Sequence, residues 1–232
     1  MSLYLWINIL SLAGPLALSF DKKVAFYKHW KALFPAILIV GTAFLIWDEY
    51  FTQNGIWGFN PDYLSGIYFG HLPLEEILFF LTIPYACVFI FACFEAYFPK
   101  TNPHLFGYLF AICFSFTALI IGFFHLENWY TSSALIGAGI LNAIFYFAKT
   151  PSWYPKFALT FLIAFIPFLI VNGILTGYFT PEPVVWYSEN HIIGLRIGSI
   201  PVEDSFYNFF MLFGIMLIYM PLRKKLMANP LR

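Results

Sequence analysis

The chain has 232 residues, of which 61% are hydrophobic and 10% charged, and twelve Lys+Arg balance twelve Asp+Glu. So few charges cannot cover a water-soluble globule of this length; disorder and nucleic-acid binding are excluded, and the composition points into a bilayer. The 22% aromatic share, with thirty Phe, exceeds what interfacial belts of Trp and Tyr need and hints at a π-rich interior or an apolar ligand.

Windows of about twenty residues, the length that crosses a hydrocarbon core of ~30 Å, predict helices over 3–19, 33–51, 74–97, 104–124, 131–148, 157–178 and 204–222. The expected fold class is thus all-α integral membrane, one multi-pass domain over 1–232 with seven transmembrane helices. The first window has no basic residue before it and lysines after it, the wrong flank for a cleaved signal peptide and the right one for a first span that starts outside. Lys22, Lys23, Lys28 and Lys31 lie between spans one and two, Lys100 between three and four, and Lys149 and Lys156 between five and six. Arg223, Lys224, Lys225 and Arg232 follow span seven, which leaves Arg196 alone on the other side. The positive-inside rule then puts the N-terminus outside and the C-terminus in the cytoplasm, with the cell membrane as the expected location.

The acids sort the opposite way. Asp21 and Glu95 lie toward the basic side, whereas Asp48, Glu49, Asp62, Glu75, Glu76, Glu127, Glu182, Glu189, Glu203 and Asp204 lie toward the outer side. Asp62, Glu127, Glu182 and Glu189 read as wet loop carboxylates. Cys87, Cys93 and Cys113 lack CxxC spacing and read as packing residues, and no metal site is expected.

One stretch occurs twice. Gly66-Ile-Tyr-Phe-Gly70-His-Leu-Pro73-Leu-Glu75-Glu76 aligns without a gap on Gly194-Leu-Arg196-Ile-Gly198-Ser-Ile-Pro201-Val-Glu203-Asp204, at a constant offset of 128. Each copy follows a Trp (Trp57, Trp186) and runs into an apolar span. Spans three and seven are predicted to run the same way, so the halves read as parallel repeats, 1–100 and 129–232, joined by a linker span within 101–128. Such halves pack about an axis along the membrane normal, which brings both Pro-x-acid-acid corners to one depth. Pro73 and Pro201 suit a first helical turn, where no backbone N–H is needed, and the carboxylates then sit where the helix dipole favours negative charge. Gly66, Gly70, Gly194, Gly198 and Arg196 read as structural parts of these corners.

Phosphate chemistry is disfavoured by a lone Arg on the acidic face and the lack of a DDxxD-type cluster. No nucleotide or flavin fingerprint is present, since Gly137-Ala-Gly139 falls within a span and eases helix packing, and no Ser-His-acid set is visible. What remains is carboxyl groups beside aromatic rings in a lipid-accessible place. A carboxyl in apolar surroundings near a second one can stay protonated at neutral pH and donate to a carbon–carbon double bond. The resulting cation is stabilised by π faces, for which Phe79, Phe80, Tyr85, Phe206 and Tyr207 lie on the acid-bearing helices. A carboxylate then removes a proton elsewhere, and the net reaction is an isomerisation.

Pro73-Leu-Glu75-Glu76 with Phe79-Phe80, and Pro201-Val-Glu203-Asp204 with Phe206-Tyr207, resemble the two Pro-x-Glu-(Glu/Asp) signatures of the membrane-integral lycopene cyclases. This is the bacterial type made of two small subunits or their fusion, also found as the N-terminal part of fungal bifunctional cyclase/phytoene synthases. Trp57-Gly-Phe-Asn-Pro61, Pro84-Tyr85 and Asn172-Gly173-Ile-Leu-Thr-Gly177 are similar too, so the likeness covers about 44–222. The resemblance implies cofactor-independent β-cyclisation of lycopene, through monocyclic γ-carotene to β-carotene. It implies Glu75 and Glu203 as first choice for acid and base and Glu76 and Asp204 as second, with Trp57, Phe79, Phe80, Tyr85, Asn172, Phe206 and Tyr207 against the substrate. Lycopene in the bilayer is the implied partner, with carotenoid-pathway enzymes as candidate protein partners. A proton-coupled transporter using the paired carboxylates, or a non-catalytic carotenoid-binding protein, is the competing expectation.

Overall fold

The structure, a computed structural model, describes residues 2–228; the basic Arg232 lies outside them. Seven helices account for most of it: α1 (Leu3–Leu18), α2 (Trp30–Gln53), α3 (Leu74–Tyr97), α4 (His104–Phe124), α5 (Trp129–Lys149), α6 (Tyr154–Leu175) and α7 (Val202–Ala228). Six are long and apolar enough to cross a membrane, and α1, with 16 residues, is shorter, about 24 Å at 1.5 Å per residue. Large apolar side chains such as Leu10, Leu38, Ile46, Phe116, Ile144 and Ile166 point outward and are exposed, the arrangement that lipid favours and water penalises. The chain is a multi-pass helical membrane protein.

Helices approach closely where side chains are small. Gly107, Ala111, Ser115, Ala118 and Gly122 form one buried stripe on α4; Ala118 meets Gly139 and Gly122 meets Leu135 and Ile136 of α5, while Gly107 meets Pro155 of α6. A methyl group at Gly139 would come within 2.9 Å of Leu119, so the packing role expected of this glycine is the observed one. Asn142 of α5 ties three helices: it donates to Ser115 Oγ (3.0 Å) and accepts from the Tyr154 hydroxyl (2.7 Å).

One end of the bundle is basic. There Arg223 pairs with Glu95, Lys156 Nζ donates to the Pro99 carbonyl (3.1 Å), and the Tyr219 hydroxyl meets His29 Nδ1 at 2.9 Å.

The opposite end carries three two-stranded ladders too short to show any sequence periodicity, an addition to the all-α expectation. Strand β1 (Trp57–Phe59) pairs antiparallel with β4 (Val185–Tyr187), β2 (Tyr68–Phe69) with β3 (Leu72–Pro73), and β5 (Arg196–Ile197) with β6 (Ile200–Pro201). The last two are tight hairpins with matching geometry. Gly66 and Gly194 have φ of +83° and +85°, and Gly70 and Gly198 of +66° and +65°, values that favour glycine. Leu74 N–H donates to the Ile67 carbonyl (2.8 Å) and Val202 N–H to the Leu195 carbonyl (3.0 Å). Pro73 and Pro201 end the strands β3 and β6 immediately before their helices, one position earlier than the expected first helical turn. Their ring-fixed φ suits the extended residue that precedes a helix.

Candidate active site

The hairpins deliver the chain directly into α3 and α7, so Glu75-Glu76 and Glu203-Asp204 occupy first turns. Adjacent helical residues point about 100° apart, and the members of each pair meet different surroundings. Glu75 Oε1 accepts from the Ser2 hydroxyl and the Ser65 N–H, both at 2.6 Å. Glu203 Oε1 accepts from the Thr131 hydroxyl (2.6 Å) and the Ile193 N–H (2.8 Å). Both are fully buried, and each ties its helix start to a preceding loop and to the start of α1 or α5. Neither lines the cavity described next, although both were the first choice for acid and base.

Glu76 and Asp204 turn the other way. Glu76 Oε2 accepts from the Tyr4 hydroxyl of α1 (2.5 Å). Asp204 Oδ1 accepts from the Tyr130 hydroxyl of α5 (2.6 Å) and Oδ2 from Tyr187 of β4 (3.0 Å). Both acids line a cavity of about 80 Å³ beneath the β1–β4 ladder, and a third carboxyl, Asp48 of α2, lines it too. Asp48 Oδ1 accepts from the Trp57 indole N–H (2.5 Å), while its Oδ2 and the Tyr207 hydroxyl are buried without a partner, as are Glu75 Oε2 and Glu203 Oε2 outside the cavity. Tyr187 lies above the helices; burial first, then the Asp204 carboxylate, holds its hydroxyl well above the usual phenol range, so it remains a donor.

Two helical faces form the walls. Glu76, Phe79, Phe80 and Ile83 of α3 and Asp204, Tyr207, Asn208 and Met211 of α7 all line the cavity, each set at i, i+3, i+4, i+7 along one face. Aromatic rings close the roof: Trp57 lies edge-on to Tyr130 at 4.9 Å, and Tyr130 stacks on Tyr187 at 5.8 Å.

Of the residues expected at the substrate, Trp57, Phe79, Phe80, Asn172 and Tyr207 line this cavity. Tyr85 and Phe206 do not. Tyr85 lies nine residues beyond Glu76, about 13 Å farther along α3; its hydroxyl meets Ser19 Oγ (2.5 Å) and the Trp30 indole N–H (3.0 Å) in the core. Phe206, two residues after Asp204, is turned about 200° round α7 and packs on Phe114 at 5.1 Å. Arg196 braces its hairpin from outside, donating to the Ser199 carbonyl (2.8 Å) and Glu189 (2.7 Å). Trp186 is partly exposed, its ring lying over Gly58; strand alternation sends it outward and turns its neighbour Tyr187 inward.

Tyr4, Asp48, Tyr130, Tyr187 and Asn208 line the site but were not singled out from sequence. Asp48 alone had a usable signal, an ionisable side chain inside a spanning window.

Fold and site together define a multi-pass membrane protein in which three buried carboxyl groups line one aromatic cavity at one end of a helical bundle. Compared with known families, the chain matches lycopene cyclase over residues 1–94 and 127–222. It belongs to the lycopene cyclase family, membrane enzymes of carotenoid biosynthesis. No curated protein and no solved structure matches it.

Proposed function

We propose that this protein is a lycopene β-cyclase that isomerises ψ end groups to β-rings by acid-base chemistry alone. The observation that carries this reading is the convergence of Asp48, Glu76 and Asp204 on one aromatic cavity. Asp48 and Glu76 hold the proton that is delivered to C2; the unpartnered Asp48 Oδ2 is a place for it, since a protonated oxygen avoids the cost of a bare buried charge. The C5=C6 bond then attacks C1, forming the C1–C6 bond and leaving the cation at C5. Asp204, which accepts two phenol hydrogen bonds, serves as the carboxylate that removes the C6 proton and leaves the C5=C6 double bond of the β-ring. One proton enters and one leaves, so no oxidant or reductant is consumed. Phe79, Phe80 and Tyr207 offer π faces to the cation. In this reading Glu75 and Glu203 are positioning residues that fix the two corners.

The same reading holds that α1 completes seven spans and that α1–α3 and α5–α7 are parallel repeats. The paired hairpin dihedrals and the two separately matched segments support it. It places the acid cavity toward the outer face of the cell membrane and the basic end in the cytoplasm, following the positive-inside rule. Both acid corners serve one cavity, so the two ends of lycopene react in turn through γ-carotene. Pigment analysis in lycopene-accumulating cells tests the function. Wild type is expected to yield β-carotene by way of γ-carotene and Glu76→Gln to leave lycopene; unconverted lycopene with a folded wild type overturns the proposal.

A further inference from the structure

The wall of the acid cavity between α3 and α6 is shared with a second, larger space. A groove of about 440 Å³ runs between α1, α3 and α6, and Phe79, Ile83, Phe168 and Asn172 belong to both cavities. It extends from Phe79 to Ile90 on α3 and from Ile174 back to Ala164 on α6, about 15 Å along the helices at 1.5 Å per residue. Its lining is almost wholly apolar, and Leu10 and Ile170 on its rim are 68% and 57% exposed. The groove therefore opens sideways, in the direction of lipid. The flank between α2 and α7 is built differently: Phe44 packs against Tyr207 at 5.0 Å and Phe210 at 5.2 Å, and Trp47 against Tyr207 at 5.0 Å. Interlocked rings fill the place that the groove leaves open on the other side.

We propose that this groove is the lateral entrance of the cyclase and the seat of the unreacted part of the polyene. The inference rests on the function proposed above and adds the path and binding mode of its substrate. The reacting end group passes between Phe79 and Phe168 into the acid cavity, while the conjugated chain lies along α3 and α6. Its occupant is a linear C40 polyene, because the groove is apolar, runs along the helices and shares a wall with the acid cavity. About 15 Å of groove holds roughly half of a molecule as long as the ~30 Å hydrocarbon core, so the far end lies in lipid. That end can be open or already cyclised without touching the protein, and γ-carotene enters as lycopene does. The second ring requires the intermediate to leave, reverse and return.

The test fills the groove without touching a carboxyl. Ser11→Trp and Ala86→Trp project from half-buried positions on its lining, and Ile144→Trp on the exposed face of α5 is the control. Each protein is returned to liposomes containing graded lycopene, products are followed by chromatography, and folding is followed by the melting temperature. The groove variants are expected to raise KM by about tenfold or more, what losing roughly two buried CH₂ groups costs, with kcat little changed and Ile144→Trp like wild type. Ala86→Leu replaces Ala86→Trp in the comparison if Trp lowers the melting temperature. Groove variants that melt as wild type and keep its KM overturn the assignment, as does a fall in kcat at unchanged KM. A wild type that makes no cyclic product overturns the cyclase reading itself, which separates the two failures.

Discussion

Replacing Asp204 by Asn keeps the size of the side chain and removes its charge. In the structure both Asp204 oxygens are engaged, Oδ1 by Tyr130 at 2.6 Å and Oδ2 by Tyr187 at 3.0 Å. An amide has one acceptor oxygen, so one phenol loses its partner at a cost of ~1–3 kcal/mol, which appears as lower stability. The chemical cost is larger. A positioned general base contributes ~10²- to 10⁴-fold to rate, or about 2.7 to 5.5 kcal/mol of barrier at ~1.36 kcal/mol per tenfold. kcat is therefore expected to fall by that factor while KM for lycopene stays within a few-fold. Glu203→Gln is the internal comparison: a Gln carbonyl can still accept from Thr131 and the Ile193 N–H, so the expected loss of kcat is under about tenfold, while the amide NH₂, placed where Glu203 Oε2 is buried without a partner, costs ~1–3 kcal/mol of stability. Time courses of γ- and β-carotene formation in liposomes, with melting curves beside them, measure both effects. Inactive Glu75→Gln and Glu203→Gln variants next to a turning-over Asp204→Asn would refute the assignment of the inward pair.

Asp48→Asn tests the third carboxyl, and a loss of ~10²-fold or more in kcat is expected; activity within threefold of wild type would remove Asp48 from the chemistry. Tyr187→Phe deletes one of two donors to Asp204 and is expected to lower kcat by about tenfold, roughly one charge-assisted hydrogen bond. Because burial and the Asp204 carboxylate hold the Tyr187 hydroxyl above the usual phenol range, its neutral form persists as pH rises, and the wild-type to Tyr187→Phe ratio should be the same at pH 7 and pH 9. Orientation is open to direct labelling in a background without Cys87, Cys93 and Cys113: His71→Cys at a hairpin tip should react with an impermeant maleimide on intact cells, and Lys224→Cys only after lysis. The reverse pattern would invert the proposed topology.

The helices were legible because long apolar runs leave little choice in a bilayer; their ends fall within three residues of the windows except in α7, which runs on to Ala228. The two corners were legible for another reason: Gly66 and Gly70, with their counterparts Gly194 and Gly198, require positive φ, and few other residues can replace them. Which acid of each pair faces inward was less visible, since neighbours on a helix differ only in direction. The helical face that includes Glu76 also carries Phe79, Phe80 and Ile83, but a face starting at Glu75 shares Phe79, so aromatic content alone does not decide. Ser65 and Ile193 capture Glu75 and Glu203 through backbone N–H groups, contacts that depend on the fold of a loop rather than on residue type. Tyr4 and Tyr130 approach their carboxylates across 72 and 74 residues of chain, a separation over which no local pattern operates. Tyr85 misled because an aromatic on the right helix can still lie several turns too deep.

The helix α4 lies between the two segments matched to the family and contributes no residue to the acid cavity. In the proposed arrangement of two parallel repeats, its effect is one of parity. Three successive crossings end on the face opposite to where they began, so a second set of three attached directly would start from the wrong side, and its acid corner would lie at the far end of the bundle from the first. One extra crossing restores the direction. A helix that touches none of the chemistry thereby allows Glu76 and Asp204 to face a common cavity. Deleting α4 whole is expected to be more damaging than its contacts imply, because it would reverse everything that follows it.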